Sequence, residues 1–383
     1  MYTSVPRAHK RSFRPIRKGA GLSTNVREET FKEERMLRSI SALNTIAAAA
    51  LALSAWATAA QAADATRVAL VPGGPHPYFA AWEKAGQDAM KDFNLGAADY
   101  RVPQKWELSV QNSLLESLLS QGYNAFLVFP GDPVGSNSTV QELTENGAPV
   151  IATAGCLKEP TTASFCFGTD TGNSAYLGTK ELIKAMGGKG RIAHFTGFLV
   201  DPNTQLRIDA VEKAAKETNG AVSVVQVIAD IDAPEPAEEK INAYLAAHAG
   251  DVDGIITTAW VPAVVAANAL RKIGDKRIKM VGIDHDEVVL KAIKDGYVDG
   301  TMLQNPYGQG YIGSYALDKL RHGCKVKADA PFKTIALTNR FIDSGTVFAG
   351  KDQVDNYVGA MQAITKDIFA KFAAADRVPC RVA

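Results

Sequence analysis

Residues 68–90 read VALVPGGPHPYFAAWEKAGQDAM, and this stretch decides how the rest of the chain is interpreted. Its first four residues form an apolar run typical of a buried parallel strand. A loop rich in glycine and proline follows and presents His76, Tyr78 and Phe79, and a helical pattern begins near Ala80. Open α/β sheets bind ligands outside the carboxyl ends of their strands. The stretch therefore predicts aromatic side chains at a binding crevice, where their flat faces suit a sugar ring better than a phosphate.

The alternation of strand and helix continues to about residue 322. Helical patterns separate apolar runs at 126–129, 150–153, 192–195, 222–228, 254–257, 278–283 and 301–303. Repeated strand–helix units predict parallel sheets covered on both faces, and these strands are too many for one sheet of ordinary size. The predicted fold class is α/β, with two doubly wound, Rossmann-like lobes joined by a multi-strand hinge.

Three short segments have the small and polar residues expected where the chain crosses between two lobes. They divide the chain into discontinuous lobes, each built from two stretches of sequence. The predicted crossings are 167–172, 304–306 and 329–332, which give a first lobe of 66–169 plus 305–331 and a second lobe of 170–304 plus 332–383.

The first 62 residues predict a leader rather than part of a lobe. Residues 36–62 combine a basic start, an apolar centre over 46–56 and small residues at Ala60 and Ala62, which is typical of a secretory signal peptide. A membrane anchor is the less favoured alternative, because a spanning helix needs ~20 strongly apolar residues. We interpret residues 1–35 as a non-native upstream or disordered extension rather than a nucleic-acid arm. The mature protein is then expected in the periplasm.

Charge and cysteine content fit an exported protein. The leader holds ten of the 42 Lys and Arg residues and four of the 41 Asp and Glu residues, so the remainder carries a net charge of −5. A mildly acidic protein is a poor candidate for binding nucleic acid. The four cysteines allow three pairings in an oxidising compartment. Cys156–Cys166 is favoured because it would join the ends of two successive strand segments, and Cys324–Cys380 would be the remaining pair.

Motifs for metal, cofactor or catalytic chemistry are absent from the sequence. There is no CxxC or Cys/His spacing of a zinc site, no GxGxxG after a strand, no Walker A loop, no GxSxG and no HExxH. We therefore predict no metal, no cofactor and no enzymatic activity.

Several stretches resemble the ribose-binding-protein-like group of periplasmic substrate-binding proteins of ABC transporters. The resemblance covers roughly residues 66–330, and LacI-type repressors share the fold in their effector domains. It implies a type I periplasmic binding protein fold, a monomer whose lobes close on a ligand, and a membrane permease as partner. The matching stretches are PHPYF, QGYNAFLVFPGDP, GAPVIATAG, NTQLRIDAVEKA, DVDGIITTAW and KMVGIDHDEVVLKAIKDGYVDGTMLQNPYGQG.

The resemblance implies ligand contacts in both predicted lobes. Tyr78 and Phe79 lie where the family places aromatic rings that stack on the ligand. Arg207 and Asp284 lie where it places hydrogen-bonding partners of sugar hydroxyls, and Gln304 lies at a hinge-proximal strand end that supplies an amide. His76 is added because histidine can donate and accept at once.

Departures from the family pattern predict a less polar site than one for ribose. Phe129 and Trp260 stand where ribose binders carry polar residues, and a Trp face also suits the C–H face of a sugar. Asp132, a turn residue, is a weaker candidate. Asp286 is the better cap for the following helix, which leaves Asp284 for the ligand. The expected ligand is another sugar, a deoxy sugar, a polyol or an autoinducer-like furanosyl compound.

Two other functions remain open from the sequence. A periplasmic receptor that presents a bound signal for chemotaxis or signalling would have the same lobes and the same site. A LacI-type regulator would need an N-terminal helix-turn-helix, whereas a signal peptide is predicted at that position.

Overall fold

The computed structural model describes residues 65–274, 276–327 and 330–374, so the predicted extension, the signal peptide and Cys380 lie outside the described residues. The strands are β1 Arg67–Val71, β2 Ala97–Tyr100, β3 Ala125–Val128, β4 Val150–Thr153, β5 Cys166–Gly168, β6 Gly190–Phe195, β7 Val222–Ile228, β8 Gly254–Thr257, β9 Lys279–Ile283, β10 Gly300–Gln304, β11 Phe341–Asp343 and β12 Thr346–Gly350.

Helices follow most of these strands. A single 3₁₀ turn, Pro77–Ala80, follows β1. Among the described residues, none of the helices is both long enough and apolar enough to cross a membrane. They are α1 Ala81–Asp92, α2 Leu108–Ser120, α3 Asn137–Glu145, α4 Thr171–Ala185, α5 Pro202–Lys216, α6 Pro234–His248, α7 Trp260–Ile273, α8 Glu287–Asp295, α9 Pro306–Arg321 and α10 Tyr357–Ala374.

The strands form two six-stranded sheets of the same topology, which confirms the predicted α/β fold class. The first has the order β2-β1-β3-β4-β5-β11 with all strands parallel. The second has the order β7-β6-β8-β9-β10-β12, in which only β12 is antiparallel to its neighbour. Most residues of their central strands are buried, because helices cover both faces. We call each sheet with its packed helices a lobe.

The chain crosses between the two sheets three times in its described part. It passes to the second sheet after β5 and returns to the first after β10. Strand β11 then joins the first sheet beside β5, so the last crossing lies between β11 and β12 and not at 329–332. The assignment of all of 332–383 to the second lobe is therefore wrong at β11. Three residues ending in an aspartate carry no strand signal by themselves.

Helix α9 packs closely on both helix α1 and the first sheet. A Cβ added at Gly310 would lie 2.8 Å from the Cβ of Ala85, and one at Gly313 would lie 2.6 Å from a methyl carbon of Leu127. The two glycines stand three positions apart and so share one helix face. This close approach holds the returning chain against the strands that lead to the predicted site.

The C-terminal helix α10 spans the region between the lobes. Its first residue, Tyr357, packs against the core of the second lobe. Phe369 and Phe372, near its other end, pack against the core of the first lobe. Between them, the Thr365 hydroxyl donates a hydrogen bond of 2.9 Å to Oδ1 of Asn305, which precedes α9. The helix thus contacts both lobes and the second crossing.

A disulfide joins Cys156 and Cys166, as the sequence favoured. Both cysteines are buried, and Cys166 is the first residue of β5. The bond ties the segment after β4 to the strand beside it. Since Cys380 is outside the described residues, the pairing of Cys324 with Cys380 stays a prediction.

Removing this disulfide is expected to lower the free energy of unfolding by about 3 kcal/mol, the chain-entropy value for so short a loop. The Cys156→Ala/Cys166→Ala double variant is preferred to serine, because alanine buries no hydroxyl without a partner. Urea denaturation of the variant and the wild type measures the difference. A loss below about 1 kcal/mol would contradict the expectation.

Candidate ligand-binding cleft

The order of the strands fixes where a ligand can bind. In the first sheet, β2 lies on one side of β1 and β3 on the other, and in the second sheet β7 and β8 flank β6 in the same way. The order in which strands are added thus reverses once in each sheet, which places a topological switch point between β1 and β3 and another between β6 and β8. Open α/β sheets bind ligands in the crevice outside the carboxyl ends of strands at such points. The loops after β1, β3, β6, β8 and β9 leave these edges and carry most of the predicted site residues.

The first lobe contributes an aromatic wall, which we define as Phe79, Trp106 and Phe129. The ring centroids of Phe79 and Phe129 are 5.4 Å apart, those of Trp106 and Phe129 are 5.5 Å apart, and those of Phe79 and Trp106 are 6.2 Å apart. The His76 ring lies within 6.5 Å of two members of the wall. Edge-to-face and tilted pairs at these separations are the arrangements that aromatic rings prefer.

The 3₁₀ turn after β1 is held by its own side chains. His76 Nδ1 accepts a hydrogen bond from the backbone N–H of Tyr78, and the Tyr78 hydroxyl donates to Gln309 Oε1 at 3.0 Å. Burial raises the pKa of that hydroxyl above its usual range, and the nearby carboxylate of Asp284 raises it further. Tyr78 is therefore neutral, and the hydrogen of its hydroxyl is committed to Gln309.

The second lobe contributes buried polar groups. Asp284 is 3% exposed and follows β9 with φ = +67°, a left-handed conformation that aspartate tolerates better than most residues. Its Oδ1 accepts a hydrogen bond of 2.8 Å from Nε2 of Gln304 at the end of β10. Burial raises the pKa of the Asp284 carboxyl from 3.8 to about 6, although Gln304, Arg207 and His76 oppose the shift. Non-glycine residues held in this conformation concentrate at ligand sites.

Arg207 is a charged side chain of the cleft with a buried N–H that has no hydrogen-bond partner. It lies on α5, and its Nε is buried without a hydrogen-bond partner. Its charge acts on Tyr78 and Asp284 and also on His194 beneath it. Burial and then Arg207 lower the pKa of His194 to about 3, so this imidazole is neutral. A buried guanidinium N–H without a partner is suited to a ligand oxygen.

The two lobes meet at His76. Its Nε2 lies 3.5 Å from Oδ2 of Asp232, and its ring centroid lies 6.5 Å from that of Trp260, both in the second lobe. Burial by itself would raise the pKa of Asp232, but His76, the backbone N–H of Val261 and Arg207 hold it below its usual value. Asn203 Nδ2 makes a second contact across the cleft, to the carbonyl oxygen of Ala154 at 3.4 Å.

Other predicted residues have structural partners of their own. Trp260 is 9% exposed, and its indole N–H donates to Oδ2 of Asp286 at 3.1 Å. Asp286 also caps α8 by accepting from the Val288 N–H, which confirms its predicted role. Asp132 is exposed, and its carboxylate accepts from the backbone N–H groups of the turn that follows it. None of the described contacts joins Asp132 to the rest of the cleft.

Sequence reasoning missed Trp106, Asp232 and Asn203. Trp106 follows β2, which the sequence did not reveal because that strand, AADY, is only four residues long and contains an aspartate. Recognising that strand beside β1 would have placed its loop next to PHPYF. The other two come from loops and a helix start that reach the cleft only through the contact between lobes. In the described part of the chain, no cluster of three or more His, Cys, Asp or Glu residues is arranged to hold a metal.

Comparison with known proteins identifies a matching family model and related binding proteins. Residues 68–324 match a family model described as a periplasmic binding protein domain. A xylitol-binding protein of Mycolicibacterium smegmatis is 26% identical over 243 residues, which cover 62% of this chain and 67% of that protein. The ribose import binding protein of Bacillus subtilis is 24% identical over 260 residues, or 67% of this chain and 83% of that protein.

Solved structures share the fold. An ABC transporter solute-binding protein from Actinobacillus succinogenes, with bound D-allose, superposes with a TM-score of 0.68 at 21% identity, over 76% of this chain and 100% of that one. A solute-binding protein from Burkholderia graminis, in complex with D-arabinose, gives a TM-score of 0.66 at 23% identity, over 75% and 96%.

Proposed function

Because the chain belongs to the periplasmic binding protein domain family, we propose that it is a solute-binding protein of an ABC importer. It captures a sugar or a sugar-like small molecule between its two lobes in the periplasm and delivers it, as a monomer, to a membrane permease. It performs no chemistry on the ligand. The relatives named above bind xylitol or ribose, and the solved neighbours hold D-allose or D-arabinose.

One observation carries the proposal. An aromatic wall on the first lobe stands at one switch point, and the buried groups of Arg207, Asp284 and Gln304 stand at the edge of the other sheet. His76, whose ring lies beside the wall, has its Nε2 3.5 Å from Oδ2 of Asp232 in the second lobe, so the wall stands close to the second lobe. Aromatic faces suit the C–H face of a sugar, and the polar groups suit its hydroxyls.

The number of polar groups is sufficient for useful affinity. Hydrogen bonds that involve a charged group contribute roughly 1.5–3 kcal/mol each. Two or three of them together with stacking approach the about −8 kcal/mol that a micromolar dissociation constant requires. The few polar side chains in the first lobe favour a deoxy sugar, a polyol or another sugar over ribose.

A thermal-shift screen of pentoses, hexoses, their deoxy forms and polyols tests the proposal. A ligand at 100 times its Kd is expected to add ~2.7 kcal/mol of stability. The Arg207→Gln variant is the control, since it removes the guanidinium and keeps a side chain of similar length. A screen without any stabilising compound would contradict the proposed function, and a shift that is undiminished in Arg207→Gln would contradict the proposed site.

A further inference from the structure

Trp106 stands out because it is both clustered and exposed. It is 45% exposed, whereas Phe79, its neighbour in the aromatic wall, is 3% exposed. Single exposed apolar residues are ordinary on protein surfaces. This indole, however, contacts Phe79, Phe129 and His76, and His76 in turn lies against Asp232 of the second lobe. Trp106 therefore lies beside the point where the two lobes meet.

The position of Trp106 is fixed by two glycines in the PHPYF loop region. A Cβ added at Gly73 would lie 2.9 Å from the indole ring and 3.2 Å from the ring of Phe129. A Cβ added at Gly74 would lie 2.8 Å from the Cα of Trp106, which a rotation of the side chain cannot relieve. The loop after β1 and the loop after β2 thus approach each other so closely that only glycine fits between them. The close approach of these two loops therefore fixes the position of the indole.

The Gln111 amide, beside the wall, is already satisfied. It donates to the carbonyl oxygens of Pro72 and Phe129, at 2.9 and 2.6 Å, and accepts from the N–H of Gly131. The buried Nε2 of His76 has no hydrogen bond and lies 3.5 Å from Oδ2 of Asp232, while the members of the wall offer a ligand their apolar ring faces. On the second lobe, the buried Nε of Arg207 has no hydrogen-bond partner. The hydroxyls of a ligand therefore have partners on the second lobe, and an apolar part of the ligand suits the first.

On the basis of the proposed function, we propose that Trp106 determines specificity by covering an apolar position of the bound sugar. The ligand class is a sugar that lacks a hydroxyl, or carries a methyl group, at the carbon facing the first lobe. A hydroxyl at that position would lose its water without gaining a partner, which penalises the fully hydroxylated sugar.

Matched ligand pairs test the inference by titration calorimetry. The pairs are D-galactose with D-fucose, D-glucose with 6-deoxy-D-glucose, and D-ribose with 5-deoxy-D-ribose. For the pair that binds most tightly, the wild type is expected to bind the deoxy member at least threefold more tightly than its parent. Trp106→Ala is expected to weaken the deoxy member about tenfold and the parent much less, and Trp106→Phe should retain most of the preference. Val134→Ala, which truncates another exposed apolar side chain of the first lobe, is the control and should change neither affinity.

The outcomes separate this inference from the proposed function. If the wild type binds a pair and Trp106→Ala leaves the ratio of the two affinities unchanged, the role of Trp106 is wrong and the proposed function stands. A wild type that prefers the hydroxylated member of the pair likewise overturns the role of Trp106 alone. If no member of any pair binds the wild type, the proposed function fails for these sugars and the inference fails with it.

Discussion

Replacing Asp284 with asparagine is expected to stabilise the ligand-free protein at pH 7 and to weaken ligand binding by about 10- to 100-fold. The side chain is 3% exposed, and burial raises the pKa of its carboxyl from 3.8 to about 6. A rise of this size in the pKa corresponds to about 3 kcal/mol of unfavourable free energy for the ionised form. Asparagine removes that cost, tolerates the left-handed backbone and keeps an oxygen for the Gln304 amide. The ligand, by contrast, loses a charged acceptor.

The pH dependence of unfolding tests independently whether the ionised Asp284 carboxylate destabilises the folded protein. Because the folded pKa is raised, the folded state holds the Asp284 proton more tightly than the unfolded state does. The contribution of Asp284 to stability therefore falls as the pH rises from about 4 to about 6, and the full cost is present above that window. Urea denaturation across this range should show this slope in the wild type and lose it in Asp284→Asn.

Asp232 provides the matched contrast, since it is also a carboxylate of the cleft but has the opposite shift. Its pKa is lowered, because His76, the Val261 N–H and Arg207 outweigh the effect of burial. Asp232→Asn should therefore destabilise the protein at pH 7, where Asp284→Asn stabilises it. If both substitutions change stability in the same direction, the electrostatic account of the cleft is wrong. If Asp284→Asn binds the ligand as tightly as the wild type does, Asp284 is not a ligand contact.

The sequence predicts those parts of the fold that rest on local pattern. After a basic first residue, β1 and β9 contain no polar side chain, and their ends at Pro72 and Asp284 are recognisable for that reason. β2 and β11 escaped recognition, because they are short and contain polar residues, so that only pairing with a neighbour makes them strands. The error at the last crossing follows directly from the missing β11.

The residues of the site divide in the same way, into those that a local sequence pattern predicts and those that depend on tertiary contacts. Residues that follow an apolar strand, such as Phe129 and Asp284, lie where the pattern placed them. Trp106 and Asp232 required the strand order and the contact between lobes, and neither is written in a local pattern. Asp132 shows that a polar residue after a strand is not always directed at the cleft, since its carboxylate accepts a hydrogen bond within the turn that follows.

Replacing Asn305 with alanine is expected to lower the free energy of unfolding by about 3–5 kcal/mol, because one buried side chain joins three segments at the hinge. Asn305 is fully buried at the start of α9, and its Oδ1 accepts from the N–H of Gly308 and the hydroxyl of Thr365, both at 2.9 Å. Its Nδ2 donates to the carbonyl oxygen of Ser344 at 3.0 Å. The second crossing, the third crossing and the C-terminal helix therefore meet at this amide.

Two further variants make the expectation specific. Asn305→Asp keeps an oxygen for both accepted hydrogen bonds, but it sets its other oxygen against the Ser344 carbonyl oxygen and buries a charge, so at pH 7 it should be at least as destabilising as Asn305→Ala. Asn146→Ala removes an exposed asparagine whose amide bonds one carbonyl oxygen at a helix end, and should cost less than about 1 kcal/mol. Urea denaturation of the three variants measures the order. Since the same amide links both lobes to α10, Asn305→Ala should also shift the closure equilibrium and weaken ligand binding, which calorimetry detects. An Asn305→Ala loss no larger than that of Asn146→Ala would show that the hinge is held by the packing of α9 and α10 and not by this amide.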